Sequence, residues 1–155
     1  MSHNGKGVLL RVEGTGEIVA DPAVPAGNAY TVTAQAIEPS RLYTWPVPEF
    51  DALARRFPAL SENTKRILVE RLRALEERFC DLATQPVPKR LARMLLRLHE
   101  HAHVALTCED LADMSGTTQF TVSRLLREWE EQEIIQRVQK AVVVENLPAL
   151  TELAM

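Results

Sequence analysis

The chain has 155 residues, which is enough for one ordinary domain or two small ones with a hydrophobic core. It is 46% hydrophobic and 25% charged, as expected of a folded globular protein rather than a disordered one. The net charge of −3 does not by itself indicate a nucleic-acid partner. No apolar run approaches the ~20 residues of a membrane span, so no membrane partner is expected. The two cysteines fit no metal or redox spacing, which favours a cytoplasmic location.

Residues 1–50 are predicted to form β structure. Four short runs, at 8–13, 17–19, 30–34 and 41–45, are rich in β-branched and aromatic residues and are separated by segments containing Gly and Pro. Three or four short strands make a thin sheet that cannot bury both of its faces alone. This segment is therefore expected to pack against another part of the protein.

Residues 48–84 are predicted to be helical, with a short helix from Pro48 that is broken by Pro58 and a long helix that is capped by Ser61 and reaches about Thr84. The apolar side chains of the long helix alternate at spacings of four and three residues, as in a coiled-coil seam, and the flanking residues are charged. We therefore expect a homodimer interface formed by Leu68, Leu72, Leu75, Phe79 and Leu82. The alternative is a single helix that lies on its own domain.

Residues 85–155 are predicted to form a C-terminal domain. The prolines within 85–88 break the long helix, and an amphipathic helix then runs from Lys89 to His99, with Leu91, Met94, Leu95 and Leu98 on its core side. A short helix from Leu147 to Leu153 is expected to close the chain.

The segment 107–135 has the pattern of two short helices around a tight turn. Thr107 and Asp110 resemble a capping box, Gly116 is suited to ending the first helix, and Thr118 can cap the second. The apolar residues that recur at helical spacing in the second helix are Phe120, Val122, Leu125, Leu126 and Trp129. This is a helix-turn-helix pattern, with an ordinary helical hairpin as the alternative.

Two β-prone runs follow, Ile134–Val138 and Ala141–Val144, with a polar turn at Gln139–Lys140 between them. A hairpin directly after a recognition helix is typical of a winged helix. One position departs from the helix-turn-helix pattern, because Ser115 stands before the glycine where an apolar residue is usual.

The polar side of the second helix carries hydrogen-bonding and guanidinium groups of the kind that contact bases and phosphates in a major groove. The residues expected to contact bases are Gln119, Thr121, Ser123 and Arg124. The residues expected to contact the DNA backbone are Lys89, Arg93, Thr118 and Arg127. In a homodimer, two such helices would bind a palindrome with half-sites ~34 Å apart on double-stranded DNA.

The order of elements and the motifs RLARMLLRL, LTCEDLADMSGTTQFTVSRLLREWEEQEII and VVVEN resemble the Crp/Fnr family of bacterial transcription regulators. The resemblance implies an α+β fold with three parts. They are a partial β-roll of the cyclic-nucleotide-binding type at residues 1–50, a dimerisation helix at 51–84 and a winged helix-turn-helix domain at 85–155. It also implies regulation of transcription at palindromic promoter sites, with RNA polymerase as a further partner.

Two features depart from what the resemblance implies. Ser123 and Arg124 match the Glu-x-x-Ser-Arg pattern of the Fnr branch, but Phe120 stands at the glutamate position and cannot accept a hydrogen bond from cytosine. Gly16 and Glu17 are similar to the Gly-Glu of the family's ligand cassette, but the first half of the usual roll is missing.

No cofactor is predicted, and the sequence does not identify a ligand. There is no Lys or Arg in residues 12–40 to pair with a cyclic phosphate, and the early cysteines that hold an iron–sulfur cluster in the oxygen-sensing branch are missing.

Other functions are less well supported. His99, His101 and His103 suggest a metal or haem sensor, but no tetrahedral ligand set is completed, and a solvated helix end is the better explanation of these residues. No catalytic triad, phosphate loop or metal motif indicates an enzyme. A protein-binding module that uses the long helix is the remaining alternative.

Overall fold

The computed structural model describes residues 9–19, 30, 32–99, 106–138 and 141–155. Its elements in chain order are α1 (Val47–Arg56), α2 (Pro58–Thr84), α3 (Val87–His99), α4 (Cys108–Ser115), α5 (Gln119–Glu131), β1 (Ile135–Val138), β2 (Ala141–Val144) and α6 (Leu147–Ala154). Helices with one small antiparallel sheet confirm the predicted α+β class. Within these ranges, no helix has both the length and the apolar character needed to cross a membrane.

The chain divides into two compact units. One comprises Ile18–Phe79, and the other comprises Met1–Glu17 together with Cys80–Met155. The boundary between them falls inside α2. The second unit holds all the elements from α3 onward and is called the winged unit below.

Where the structure describes the chain before residue 46, it does not contain the predicted strands. In the described residues 9–19, 30 and 32–46 no strand is present, so that prediction was wrong for these positions. A strand needs a neighbour to pair with its N–H and C=O groups, and β propensity alone does not supply one. The predicted run 41–45 contacts little, since Leu42, Tyr43 and Trp45 are 64%, 77% and 56% exposed.

Prolines set the starts of α1 and α2. A proline stands in the first turn of α1, and α1 stops at Arg56 because Phe57 precedes Pro58 and is restricted to extended backbone angles. The long helix starts at Pro58, three residues before the predicted cap Ser61. Proline is well placed there, since the first amide of a helix has no intrahelical partner. The predicted end at Thr84 is confirmed.

The core of the winged unit lies between α3, α4, α5, β1 and α6. Helix α3 begins at Val87, two residues earlier than predicted, and buries Leu91, Met94 and Leu95. The fully buried side chains of greatest volume are Leu91, Leu111, Val122, Leu126, Ile135 and Leu150. Ala112, 3% exposed, is the small residue at which α4 packs against the rest of the core.

The wing is a two-stranded antiparallel sheet. Strand β1 pairs with β2 in the register Ile135 with Val144 through Val138 with Ala141. Ile135 is buried, whereas the rest of β1 is exposed, so the hairpin is attached to the core at its base. The predicted turn at Gln139–Lys140 lies outside the described residues.

Helices α4 and α5 end in the same way, with one residue in the left-handed region. At the end of α4, Gly116 has φ 63° and the amide of Thr117 donates to the Ala112 carbonyl at 3.0 Å. At the end of α5, Glu133 has φ 56° and the amide of Ile134 donates to the Trp129 carbonyl at 2.9 Å. Both are Schellman-type ends, but only the first has the glycine that this conformation favours.

This contrast predicts opposite effects of two substitutions. Glu133→Gly should raise the free energy of unfolding by about 0.5–1 kcal/mol because the Cβ strain at positive φ is removed. Gly116→Ala should lower it by about 1–2 kcal/mol because the same strain is added. The new Cβ would also lie 2.5 Å from Leu82 Cδ2, although that side chain is 43% exposed and can rotate away.

Urea unfolding of the two variants beside the wild type measures both effects. Gly16→Ala serves as a control for backbone strain without a steric contact. Gly16 also has positive φ, at 84°, but a Cβ added there would have no neighbouring atom within 4 Å. Destabilisation by Glu133→Gly would contradict the strain at that position.

Candidate nucleic-acid interface

The turn between α4 and α5 is fixed by side-chain caps at both helix starts. Thr107 and Asp110 form the predicted capping box, in which the Thr107 hydroxyl accepts from the Asp110 amide and Asp110 accepts from the Thr107 amide at 2.8 Å. Thr118 Oγ1 accepts from the Thr121 amide at 3.2 Å and lies 2.9 Å from Thr121 Oγ1. The first turn of α5 is therefore held in place before anything binds to it.

Helix α5 has one buried and one exposed face. Val122, Leu125, Leu126 and Trp129 are at most 3% exposed and attach the helix to the core. The exposed side chains of the opposite face are Gln119, Phe120, Ser123, Arg124, Arg127, Glu128 and Glu131. The predicted inclusion of Phe120 in the apolar face was wrong, since its side chain is 81% exposed. The remaining apolar residues of the helical pattern are buried as predicted.

Arg90 ties the turn to the start of α3. Its guanidinium donates to the carbonyls of Ser115 (3.0 Å), Gly116 (3.2 Å) and Gln85 (2.9 Å). The first two carbonyls lie at the C-terminal end of α4, where backbone acceptors lack intrahelical partners. No sequence signal indicated this role, because the bonded residues lie 25 and 26 positions away.

Ser115 occupies a buried position despite its hydroxyl. It is 2% exposed, and its Oγ donates to the Leu111 carbonyl at 2.6 Å. A small polar residue is tolerated here because its one donor is satisfied within the same helix. The departure from the helix-turn-helix pattern therefore leaves the packing of α4 intact.

The two arginines of α5 form ion pairs along the helix. Arg124 Nη1 lies 3.9 Å from Glu128, and Arg127 Nε lies 3.1 Å from Glu131. These are solvent-exposed pairs, with the arginine side chains 63% and 75% exposed. Such pairs contribute at most about 1 kcal/mol, so either guanidinium can exchange its carboxylate for another anion at little cost.

The residues predicted to contact the DNA backbone separate into two groups. Thr118 caps α5 and Arg127 lies on it with the predicted base-contacting residues, whereas Lys89 and Arg93 lie on α3. Arg93 Nε donates to the Ala154 carbonyl at 2.8 Å, and the same guanidinium pairs with Asp81. A phosphate contact by Arg93 would compete with these internal bonds, and it remains a prediction.

Glu130 fixes the wing to the end of α5. Its carboxylate accepts from the Arg137 backbone amide at 2.9 Å and from Arg137 Nε at 2.8 Å. These hydrogen bonds hold the pKa of the Glu130 carboxyl below its ordinary value of 4.5 and raise the pKa of Arg137. The bonded amide belongs to an edge strand, where it has no partner within the sheet.

The predicted histidine cluster is only partly described. His99 is the last residue of α3, and His101 and His103 lie outside the described residues. In the part of the chain that the structure describes, no three His, Cys, Asp or Glu side chains are grouped as metal ligands.

Comparison with known proteins decides the family. Residues 89–153 match the family model of a Crp-like helix-turn-helix domain. The chain is 30% identical over 162 aligned residues to the probable transcriptional regulator flp of Lacticaseibacillus casei, covering 99% of this chain and 73% of that protein. This chain belongs to the Crp/Fnr family of transcription regulators. The family consists of transcription regulators rather than enzymes.

Solved structures of this Crp/Fnr family share the fold. A variant of CooA from Carboxydothermus hydrogenoformans superposes with a TM-score of 0.62 at 28% identity, over 70% of this chain and 55% of that one. A CRP/FNR-family regulator of Thermus thermophilus superposes with a TM-score of 0.57 at 26% identity, over 63% of this chain and 55% of that one. The chain thus spans little more than half the length of these solved regulators.

The contact between Glu130 and Arg137 predicts a pH-dependent stability. Because the pKa of Glu130 is lowered in the fold, the pair stabilises the wing above pH 4.5 and this contribution is lost as the pH falls through the lowered pKa. Glu130→Gln should therefore have a lower Tm than the wild type at pH 7, and the two values should converge as the pH falls from 4.5 through the lowered pKa.

Thermal unfolding at several pH values measures this difference. Glu131→Gln is the matched control, since it removes only an exposed pair along α5, and it should change the Tm little at either pH. A Tm difference for Glu130→Gln that stays constant as the solution is acidified would contradict the proposed pair.

Proposed function

We propose that this regulator binds double-stranded DNA sequence-specifically as a homodimer, with α5 of each protomer in the major groove of one half-site. The observation that carries the proposal is the exposed polar face of α5, which stands on a buried apolar face and behind a capped first turn. A helix held in this way can place side chains against base edges with little loss of conformational entropy.

The roles of the exposed residues follow from their chemistry. Gln119, Ser123 and Arg124 lie within the first two turns of α5, the part of a recognition helix that reaches base edges, and Thr121 is half-buried beside its cap. Thr118 and Arg127, at the margins of this face, are proposed to contact phosphates. Lys89, on α3, is proposed as a further phosphate contact.

The homodimer is supported by the exposure of the seam on α2. Leu72, Leu75, Phe79 and Leu82 are 55%, 59%, 70% and 43% exposed, and their spacing places them on one side of the helix. Apolar side chains this exposed at coiled-coil spacing are stabilised when a second helix covers them. A second copy of the chain, related by two-fold symmetry, supplies the same apolar stripe to cover them.

The proposal also includes RNA polymerase as a partner and a regulatory effect at promoters. Regulation of transcription is the activity of the family.

Selection of bound duplexes from a random library at near-physiological salt tests the DNA-binding proposal. Enrichment of a two-fold symmetric sequence with half-sites ~34 Å apart supports it. Failure to enrich any sequence, with the dimer intact, favours an interaction module instead.

Arg124 is predicted to carry base specificity. A guanidinium can donate two hydrogen bonds to guanine, so Arg124→Ala should cost about 1–3 kcal/mol of binding and relax specificity at one symmetric base pair. Arg127→Ala is the comparison, because loss of a phosphate contact weakens binding to all sequences alike. Competition binding with singly substituted duplexes measures both variants. Uniform weakening by Arg124→Ala would refute its role.

Phe79 is predicted to be central to the dimer. Phe79→Glu places two carboxylates in the seam, so sedimentation should show monomers, and affinity for the full palindrome should fall about 100-fold through loss of bivalent binding. Glu77→Lys, on the charged face of α2, changes charge without entering the seam and should leave the dimer intact. A dimeric Phe79→Glu variant would show that the interface lies elsewhere.

A further inference from the structure

Phe120 has an exposure that the fold does not explain. It is the second residue of α5 and its side chain is 81% exposed, whereas the other aromatic residue of the helix, Trp129, is 2% exposed. Phe120 therefore adds little to the core, and an exposed ring of this size is unfavourable in water. The ring can contribute favourably only when another molecule covers it and removes its apolar surface from water.

The surroundings of Phe120 point towards the proposed DNA surface. One helical turn further along the same face stand Ser123 and Arg124, both exposed. The first turn of α5 contains no acidic residue, so no carboxylate there repels a nucleic acid. The ring thus lies among the residues proposed to contact bases, at the end of the helix that enters the groove most deeply.

The chemistry of the major groove restricts what the ring can contact. Base edges offer hydrogen-bond donors and acceptors, with which a phenyl ring forms no conventional hydrogen bond, and one apolar group, the C5-methyl of thymine. Burial of this methyl against the ring removes apolar surface from water on both sides. Phosphates are charged, and the sugars are the same at every nucleotide, so the thymine methyl is the apolar partner that depends on sequence.

We infer that Phe120 is a specificity-determining residue whose ring contacts the C5-methyl group of a thymine in each half-site. The inference rests on the proposed DNA binding and adds the identity of one recognised base. Each half-site should then contain a thymine that the protein selects through its methyl group rather than through a hydrogen bond.

Replacement of thymine by deoxyuridine tests this contact, because uracil lacks only the methyl group and keeps the base-pairing edge. Each thymine of the selected palindrome is replaced in turn, symmetrically in both half-sites. The wild type should lose affinity about fourfold per half-site at one position, the value expected for one buried methyl group, and little at the others.

The Phe120→Ala variant should bind the thymine and uracil duplexes equally at that position, and Phe120→Leu should keep part of the discrimination. Gln119→Ala is the matched control, since it should weaken binding but keep the thymine-to-uracil ratio. An unchanged Tm for Phe120→Ala, expected from the exposure of the ring, verifies that the variant is folded.

The outcomes separate this inference from the proposal on which it rests. A selected palindrome without thymine, a wild type indifferent to every uracil, or discrimination that persists in Phe120→Ala would overturn the methyl contact and leave DNA binding standing. The absence of any selected sequence would overturn both. Discrimination at one symmetric position that is lost with the ring supports the contact.

Discussion

The turn from Ser115 to Thr118 is the constraint on which the winged unit depends, because it sets the direction in which α5 leaves α4. Gly116 accepts the left-handed backbone that reverses the chain, and Thr118 caps the next helix two residues later. Arg90 then bonds the carbonyls of Ser115 and Gly116 to the first turn of α3. A change in this turn would alter the direction of every side chain on the exposed face of α5 together.

Helix α5 packs into the core of the winged unit and also presents the face that is proposed to contact DNA. Its four buried apolar side chains and its end, where Glu133 is held at positive φ, are fixed by packing. The strained backbone at Glu133 is tolerated because Ile134 and Ile135 must enter the core immediately afterwards. Glu130 in turn secures the wing through Arg137, so the orientation of the hairpin depends on the same helix that is proposed to contact DNA.

Sequence patterns among neighbouring residues correctly predicted the helix ends around the turn and the buried face of α5. The capping box at Thr107, the glycine end of α4 and the cap at Thr118 follow from interactions between residues at most five apart. The buried face of α5 follows from the helical spacing of its apolar residues. The roles of Arg90 and Glu130 were missed, since their partners are distant in sequence. The described residues before position 46 form no strand, because strand propensity does not supply the neighbouring strand that pairing requires. The exposure of Phe120 could not be predicted from helical spacing alone. The residue-level DNA contacts and the seam remain predictions.

The ion pairs of α5 bear on how a chain with a net negative charge would bind DNA. Arg124 and Arg127 are both paired with glutamates one turn further on, so in the free protein their charge is partly compensated. Proposed binding to DNA would exchange these weak pairs for stronger contacts to bases or phosphates, while the glutamates oppose approach to phosphates in general. Affinity for DNA of arbitrary sequence is thereby reduced more than affinity for a site that offers matched base contacts. With a net charge of −3, recognition of such a site has to come from the individual side chains that α5 presents rather than from a broad basic surface.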